Sequence, residues 1–192
     1  MMDRRTMVCR PTQYRAAEEN GELYIEGYFA VFNNVYELWP GATESIAPGA
    51  FAGALGGDVR ALTNHDTTLV LGRTKAGTLE LREDGHGLWG RVKVNGEDSD
   101  AMNLYHRVQR GDVDQCSFGF GIGVEETTVN EDGSVHWTIK EVSVLYEVTV
   151  ATFPAYEETA VAARSAQAEQ IKRRAGQAWK ETMKKRLKGC AK

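Results

Sequence analysis

Ser117 is the one hydroxyl in the segment Cys116-Ser117-Phe118-Gly119-Phe120-Gly121-Ile122-Gly123-Val124. Alternation this strict reads as a strand, whose side chains point to opposite faces in turn. Cys116, Phe118, Phe120, Ile122 and Val124 then share one apolar face, expected in the core, and Ser117, Gly119, Gly121 and Gly123 share the other. That second face carries a single hydroxyl. Three glycines weaken a strand unless another backbone or a ligand comes close. Either a neighbouring helix lies across Gly119, Gly121 and Gly123, or they floor a groove for an extended polypeptide with Ser117 as its nucleophile. Parity places Cys116 among the phenylalanines and argues against it in that role.

A serine attacks a carbonyl only with a base in hydrogen-bond reach, and near neutral pH that base is usually histidine. The chain has four. His86 sits in a Gly-His-Gly turn, His106 in a helical stretch and His136 beside Trp137, and each has an ordinary packing or surface explanation. His65 differs. It lies in a polar tip, Thr63-Asn64-His65-Asp66-Thr67, between apolar segments. Metal binding by His65 and Asp66 is the rival reading, but no second histidine stands at a spacing that would bring two ligands together. No metal or other cofactor is expected.

These residues need a scaffold, and the rest of the chain describes one. Leu23 to Phe32 is rich in aromatic and β-branched residues, which suit a half-buried pleated surface. Pro48 to Leu55 has the proline entry of a short helix. Val59–Leu62 and Thr68–Leu71 flank the His65 tip, and Gly77–Leu81 pairs with Gly87–Val94 around Glu83-Asp84-Gly85. Asp98 to Arg110 switches to helical spacing through Met102, Tyr105 and Val108, with an acidic start and Gly111 at its end. Alternation resumes from Gln115 to Glu125, and a second hairpin turns at Asn130-Glu131-Asp132-Gly133 and runs to Thr152. Glu157 to Ala163 then begins a terminal helical region. The class is β-rich α+β, read as a barrel with peripheral helices.

The 192 residues suit one compact domain, with 42% hydrophobic and 26% charged side chains. No apolar run reaches the ~20 residues of a membrane span, and MMDRRTMVCR lacks the apolar stretch of a secretory signal. Cys9, Cys116 and Cys190 form no CxxC pattern, so free thiols in a reducing cytosol are expected. Charge is unevenly spread. Residues 165–192 hold nine basic side chains against Glu169 and Glu181, a net +7 that leaves −11 on residues 1–164. The chain therefore divides into an acidic body, 1–164, and a basic tail, 165–192. Ile171, Ala175, Trp179, Met183 and Leu187 step by four along that tail as an apolar stripe. A nucleic-acid-binding module would fit the tail but not the body, so nucleic acid is disfavoured as a partner.

Several segments, taken in order, resemble the phage prohead protease family of the HK97 type. They are Gly27-Tyr28-Phe29-Ala30-Val31-Phe32 with Pro48-Gly49-Ala50-Phe51; Leu62-Thr63-Asn64-His65-Asp66 with Val70-Leu71-Gly72-Arg73; and Arg110-Gly111-Asp112 with Ser117-Phe118-Gly119-Phe120. Leu145-Tyr146-Glu147-Val148-Thr149 with Phe153-Pro154-Ala155-Tyr156 completes the set. The resemblance covers roughly residues 22–164. That family is distantly similar to the herpesvirus maturation proteases. The resemblance implies a partly closed antiparallel β-barrel ringed by helices, and a serine endopeptidase working inside the immature capsid in the host cytoplasm.

Carried over by motif, Ser117 is the nucleophile and His65 the base. For the orienting group the herpesvirus enzymes use a second histidine, where the matching strand here offers only glutamates. Glu147 stands at the position resembling the family's recurrent Glu-Val-Ser, and Glu141 falls nearer the herpesvirus spacing from the serine. Both have the same parity and lie about 20 Å apart along a strand, so at most one can orient His65. Glu147 is the first choice and Glu141 the reserve. The implied substrates are the scaffolding segment of the major capsid protein and the protease itself, with self-association possible and no membrane partner. The competing reading is a non-catalytic internal scaffold that docks through its basic tail. Loss of the serine or the histidine would mark that alternative, and both are present.

Overall fold

Two long strands, joined by the Asn130–Gly133 turn, form the spine of the molecule. The computed structural model describes residues 5–9, 15–153, 164–171, 173 and 177. In chain order its strands are β1 (Arg5–Cys9), β2 (Arg15–Glu19), β3 (Glu22–Val31), β4 (Tyr36–Trp39), β5 (Ala42–Ile46), β6 (Arg60–Thr63), β7 (Asp66–Arg73), β8 (Leu79–Glu83), β9 (Gly87–Val94), β10 (Gln115–Val129) and β11 (Val135–Ala151). Helix α1 (Ser99–Arg110) separates β9 from β10.

A seven-stranded sheet runs β1-β10-β11-β5-β4, and the β6–β7 hairpin joins it on β11. A four-stranded sheet runs β2-β3-β9-β8. The β-rich α+β class is the expected one. Pairing is antiparallel except on β11, which takes β5 and β6 as parallel partners along the edge opposite β10. Among the described residues the sheets do not close into a complete barrel.

The core lies between the sheets. Phe118 and Phe120 of β10 are fully buried with Phe29, Phe51, Leu88 and Val148, and the Phe51 and Phe118 rings meet edge-on at 5.5 Å. The apolar face of β10 stops sooner than strict alternation predicts. Val124 is 50% exposed, because register shifts between Gly119 and Glu125 change which way each later side chain points. Helix α1 follows its sequence signals: Asp98 caps it by accepting from the N–H groups of Asp100 and Ala101, and Gly111 ends it in the left-handed conformation. Its buried face, Ala101, Leu104, Tyr105 and Val108, packs in a second cluster with Ile25, Val94 and Val150.

Residues 48–57 depart from expectation, being a series of turns rather than a helix. Tertiary bonds capture the groups a helix would use: Ala50 O accepts from Val142 N at 2.8 Å, and Phe51 N donates to Glu83 Oε2 at 2.9 Å.

The expected boundary at residue 164 falls on a buried side chain. Residues 164–171 are helical, and Arg164 is 1% exposed, ion-paired to Glu44 and to Glu125 and lying 4.6 Å above the Trp137 ring. Ala168 and Ile171 pack with Trp137 and Trp39. The start of the tail thus packs against the body. Ala175, Trp179, Met183 and Leu187 of the stripe, and the expected helix start at Glu157–Ala163, lie outside the described residues.

Candidate active site

His65 owes its place to a two-residue hairpin turn. Thr63 of β6 pairs with Asp66 of β7, and both intervening residues have positive φ, Asn64 +48° and His65 +60°. Such a primed turn matches the strand twist but disfavours side-chain-bearing residues, which lose roughly 1–2 kcal/mol each in the left-handed region. Bonds to the end of β11 hold it. Asn64 N donates to Val150 O at 2.9 Å, and Asn64 Oδ1 accepts from Thr152 N at 2.9 Å. Asp66 turns its carboxylate to Thr68. Its Oδ1 accepts from the hydroxyl of Thr68 at 2.6 Å and from the Thr68 N–H at 2.8 Å, and these bonds hold its carboxyl below the ordinary value.

From this turn the His65 Nδ1 reaches Glu147 Oε1 at 2.7 Å. Glu147 is 2% exposed, and its other oxygen accepts from Thr149 Oγ1 at 2.6 Å. With Nδ1–H donated to a carboxylate, the neutral ring carries its lone pair on Nε2. Nε2 is buried and has no hydrogen-bond partner among the described residues. A buried nitrogen that can accept a proton, backed by a carboxylate that stabilises the cation, is the chemical equipment of a general base.

Ser117 lies one strand away. In the β10–β11 ladder it stands opposite Thr149, and Gly119 stands opposite Glu147. Residues opposite one another share a face, so Ser117, Thr149 and Glu147 are on the side of the sheet away from Phe118. On the far side of β11, β6 pairs Leu62 with Thr149 and Arg60 with Glu147. Ser117, Glu147 and His65 thus come from β10, β11 and the β6–β7 turn, in that spatial order. Ser117 is fully buried, so a carbonyl reaches its hydroxyl only when local covering is displaced. Cys116 points into the core and donates its thiol to Tyr28 O at 3.3 Å, as parity requires.

Glu141 is not brought to His65. It is exposed, stands opposite Val124, and its side chain lies 3.3 Å from the place a Cβ on Gly123 would take. Over Gly121 the nearest atoms are Ser143 Oγ at 3.0 Å and Tyr146 Oη at 3.7 Å. Among the described residues, the space that a Cβ would take at Gly121 and Gly123 is therefore met by neighbours from β11 rather than by a helix. The other histidines have the packing roles expected of them. His136 sits between Thr43 Oγ1 and Ser45 Oγ at 2.8 and 2.9 Å, and His86 lies edge-on to Tyr28.

One feature escaped sequence reasoning. A cleft of about 540 Å³ opens on the β6 side of β11, lined by Ser143–Glu147 and by residues of β6, β7 and the 53–58 turns. The only local hints are Gly53, Gly57 and an outward Val70, none of which signals a cleft by itself.

Comparison with known proteins gives the family of the chain. Residues 10–174 match the family model described as caudovirus prohead serine protease. Over 163 residues the chain is 31% identical to the prohead protease of Enterobacteria phage HK97, covering 83% of this chain and 68% of that one. The structure of the bacteriophage T4 capsid assembly protease aligns with 77% of this chain and 98% of its own, at 12% identity and a TM-score of 0.42. On the extent of the family match and the identity to the HK97 protein, the chain belongs to the caudovirus prohead serine proteases.

Proposed function

We propose that this prohead protease works through a Ser117–His65–Glu147 triad, and the 2.7 Å contact between His65 and Glu147 is the observation that carries the reading. Ser117 Oγ attacks the peptide carbonyl carbon while its proton passes to His65 Nε2. Glu147 remains ionised, holds the ring in the required tautomer and stabilises the imidazolium. The tetrahedral adduct collapses as the C–N bond breaks, and the proton on Nε2 goes to the leaving amine. Water then attacks the acyl-enzyme with His65 again as base, releasing the new carboxylate and restoring the Ser117 hydroxyl.

The substrates in this reading are the scaffolding segment of the major capsid protein and the protease itself, cleaved inside the immature capsid in the host. Family membership supports that setting. Co-expression with the capsid protein of the same phage, followed by mass spectrometry of the new termini, tests it. Capsid protein and protease should both be cut by the wild-type chain, left intact by Ser117→Ala, and cut normally by Cys116→Ala. Normal processing by Ser117→Ala would refute the nucleophile.

A further inference from the structure

Strand β11 is paired with β10 from Val135 to Ala151, with Lys140, Ser143 and Tyr146 bulged out of the register, but its other edge is shared. There β5 ends at Ile139 and β6 begins at Glu147. Among the described residues no strand pairs with the interval between them on that side. Val142 N, bonded to Ala50 O, closes its first part. Ser143 to Tyr146 remain as a strand edge with polar backbone groups and no ladder partner there.

The cleft follows that edge. Its lining includes Ser143, Val144, Leu145, Tyr146 and Glu147, five consecutive residues. Five successive residues lining one cleft fit a groove that runs beside this backbone, where bulges at Ser143 and Tyr146 interrupt the alternation of side chains. Across from the edge stand Leu62 and Val70, and Val70 is 47% exposed on the cleft wall. Near Gly53 the cleft is open, for no atom lies within 4 Å of where a Cβ would sit. Charge marks another part of the lining. Asp58 is bound by Arg73 at 2.6 Å, with Arg60 at 3.3 Å and Lys75 at 3.8 Å, three cations around one carboxylate.

We infer that this cleft binds the substrate polypeptide next to the scissile bond. The peptide adds a short strand to the Ser143–Tyr146 edge, lays an apolar side chain against Leu62 and Val70, and favours a carboxylate over an ammonium group near Arg60. Main-chain bonds supply affinity in strand addition, and side-chain pockets supply selectivity. This assignment rests on the catalytic reading of Glu147, which belongs to both the cleft and the His65 contact.

An N-methyl scan tests it. The full wild-type chain is given a fluorogenic peptide spanning its mapped capsid-protein cleavage site, with one backbone amide methylated at a time. Strand addition predicts losses of about tenfold in kcat/KM at alternate positions on one side of the scissile bond, with tolerance at the positions between. Val70→Lys should raise KM at least about fivefold for a peptide with an apolar residue there. Arg60→Gln should shrink the preference for Glu over Lys in paired peptides. Uniform tolerance of methylation, with Ser117→Ala inactive in the same assay, overturns the strand-edge site and leaves the triad standing. A Ser117→Ala chain that still cleaves, or a wild-type chain that cleaves no peptide, overturns the catalytic reading and this one with it. Amide protection of 143–146 that grows with protein concentration, without peptide, overturns the proposal in favour of a second copy of the chain.

Discussion

Thr149 donates its hydroxyl to Glu147 at 2.6 Å, on the carboxylate oxygen that His65 does not use. Both side chains are buried, so each Glu147 oxygen has a fixed partner and the carboxylate plane is set from two sides. Removing the hydroxyl takes one donor away from a buried carboxylate, at a cost of about 1–3 kcal/mol. Thr149→Val should therefore reduce kcat by roughly ten- to hundredfold with a smaller change in KM, and Thr149→Ser should restore most of it. The acidic limb of the pH–kcat profile should shift in the Val variant and return in the Ser variant. A lowered melting temperature with an unchanged pH profile would make Thr149 structural only.

Glu147→Gln keeps the shape of the side chain and removes the charge facing His65. By analogy with the corresponding substitution in the general serine-protease triad, kcat should fall about 10⁴-fold. Glu141→Gln, on an exposed side chain, should change kcat less than about twofold. Steady-state kinetics on the two folded variants checks this, and the reverse order would assign the role to Glu141.

Asp58 provides a pH prediction. Its bond to the Arg73 guanidinium holds its carboxyl at about 2, below the ordinary 3.8. The folded form therefore binds its proton less readily than the unfolded form, so stability from this group is complete above 3.8 and is lost as pH falls toward about 2. The melting-temperature gap between wild type and Asp58→Asn should be constant at neutral pH and narrow on acidification through that window. A gap independent of pH would mean that Asp58 contributes through packing alone.

Arg164 joins Glu44 and Glu125 under the helical segment and covers Trp137. Taking away one partner of a buried pair costs about 3–5 kcal/mol because the other charge stays buried. A chain ending at residue 163 should melt well below wild type, and one ending at residue 177 should not. Differential scanning calorimetry of both truncations checks this. Peptide cleavage by the 177-residue chain, with poor incorporation into proheads, is expected if the remaining basic segment serves docking.

Much of this protein is written in local patterns. Alternation from Cys116 to Phe120 sends the cysteine and phenylalanines inward and Ser117 the other way, and no distant contact is needed to decide it. Asp98 and Gly111 bracket α1 because capping depends on neighbours within a turn. His65 stands out among four histidines because a polar tip between apolar strands is visible in a window of ten residues.

Other features depend on partners far along the chain. Glu141 and Glu147 have the same parity, and alternation alone cannot separate them. The parallel pairing of β6 with residues 147–150 brings the His65 turn to Glu147, across 82 residues of sequence. Register shifts in the β10–β11 ladder expose Val124 by breaking the period on which the sequence argument relied. The 48–57 turns, the buried Arg164 and the cleft beside β11 have the same origin. Each arises where a backbone group or charge finds its partner in a distant element, and sequence periodicity holds no record of which element that will be.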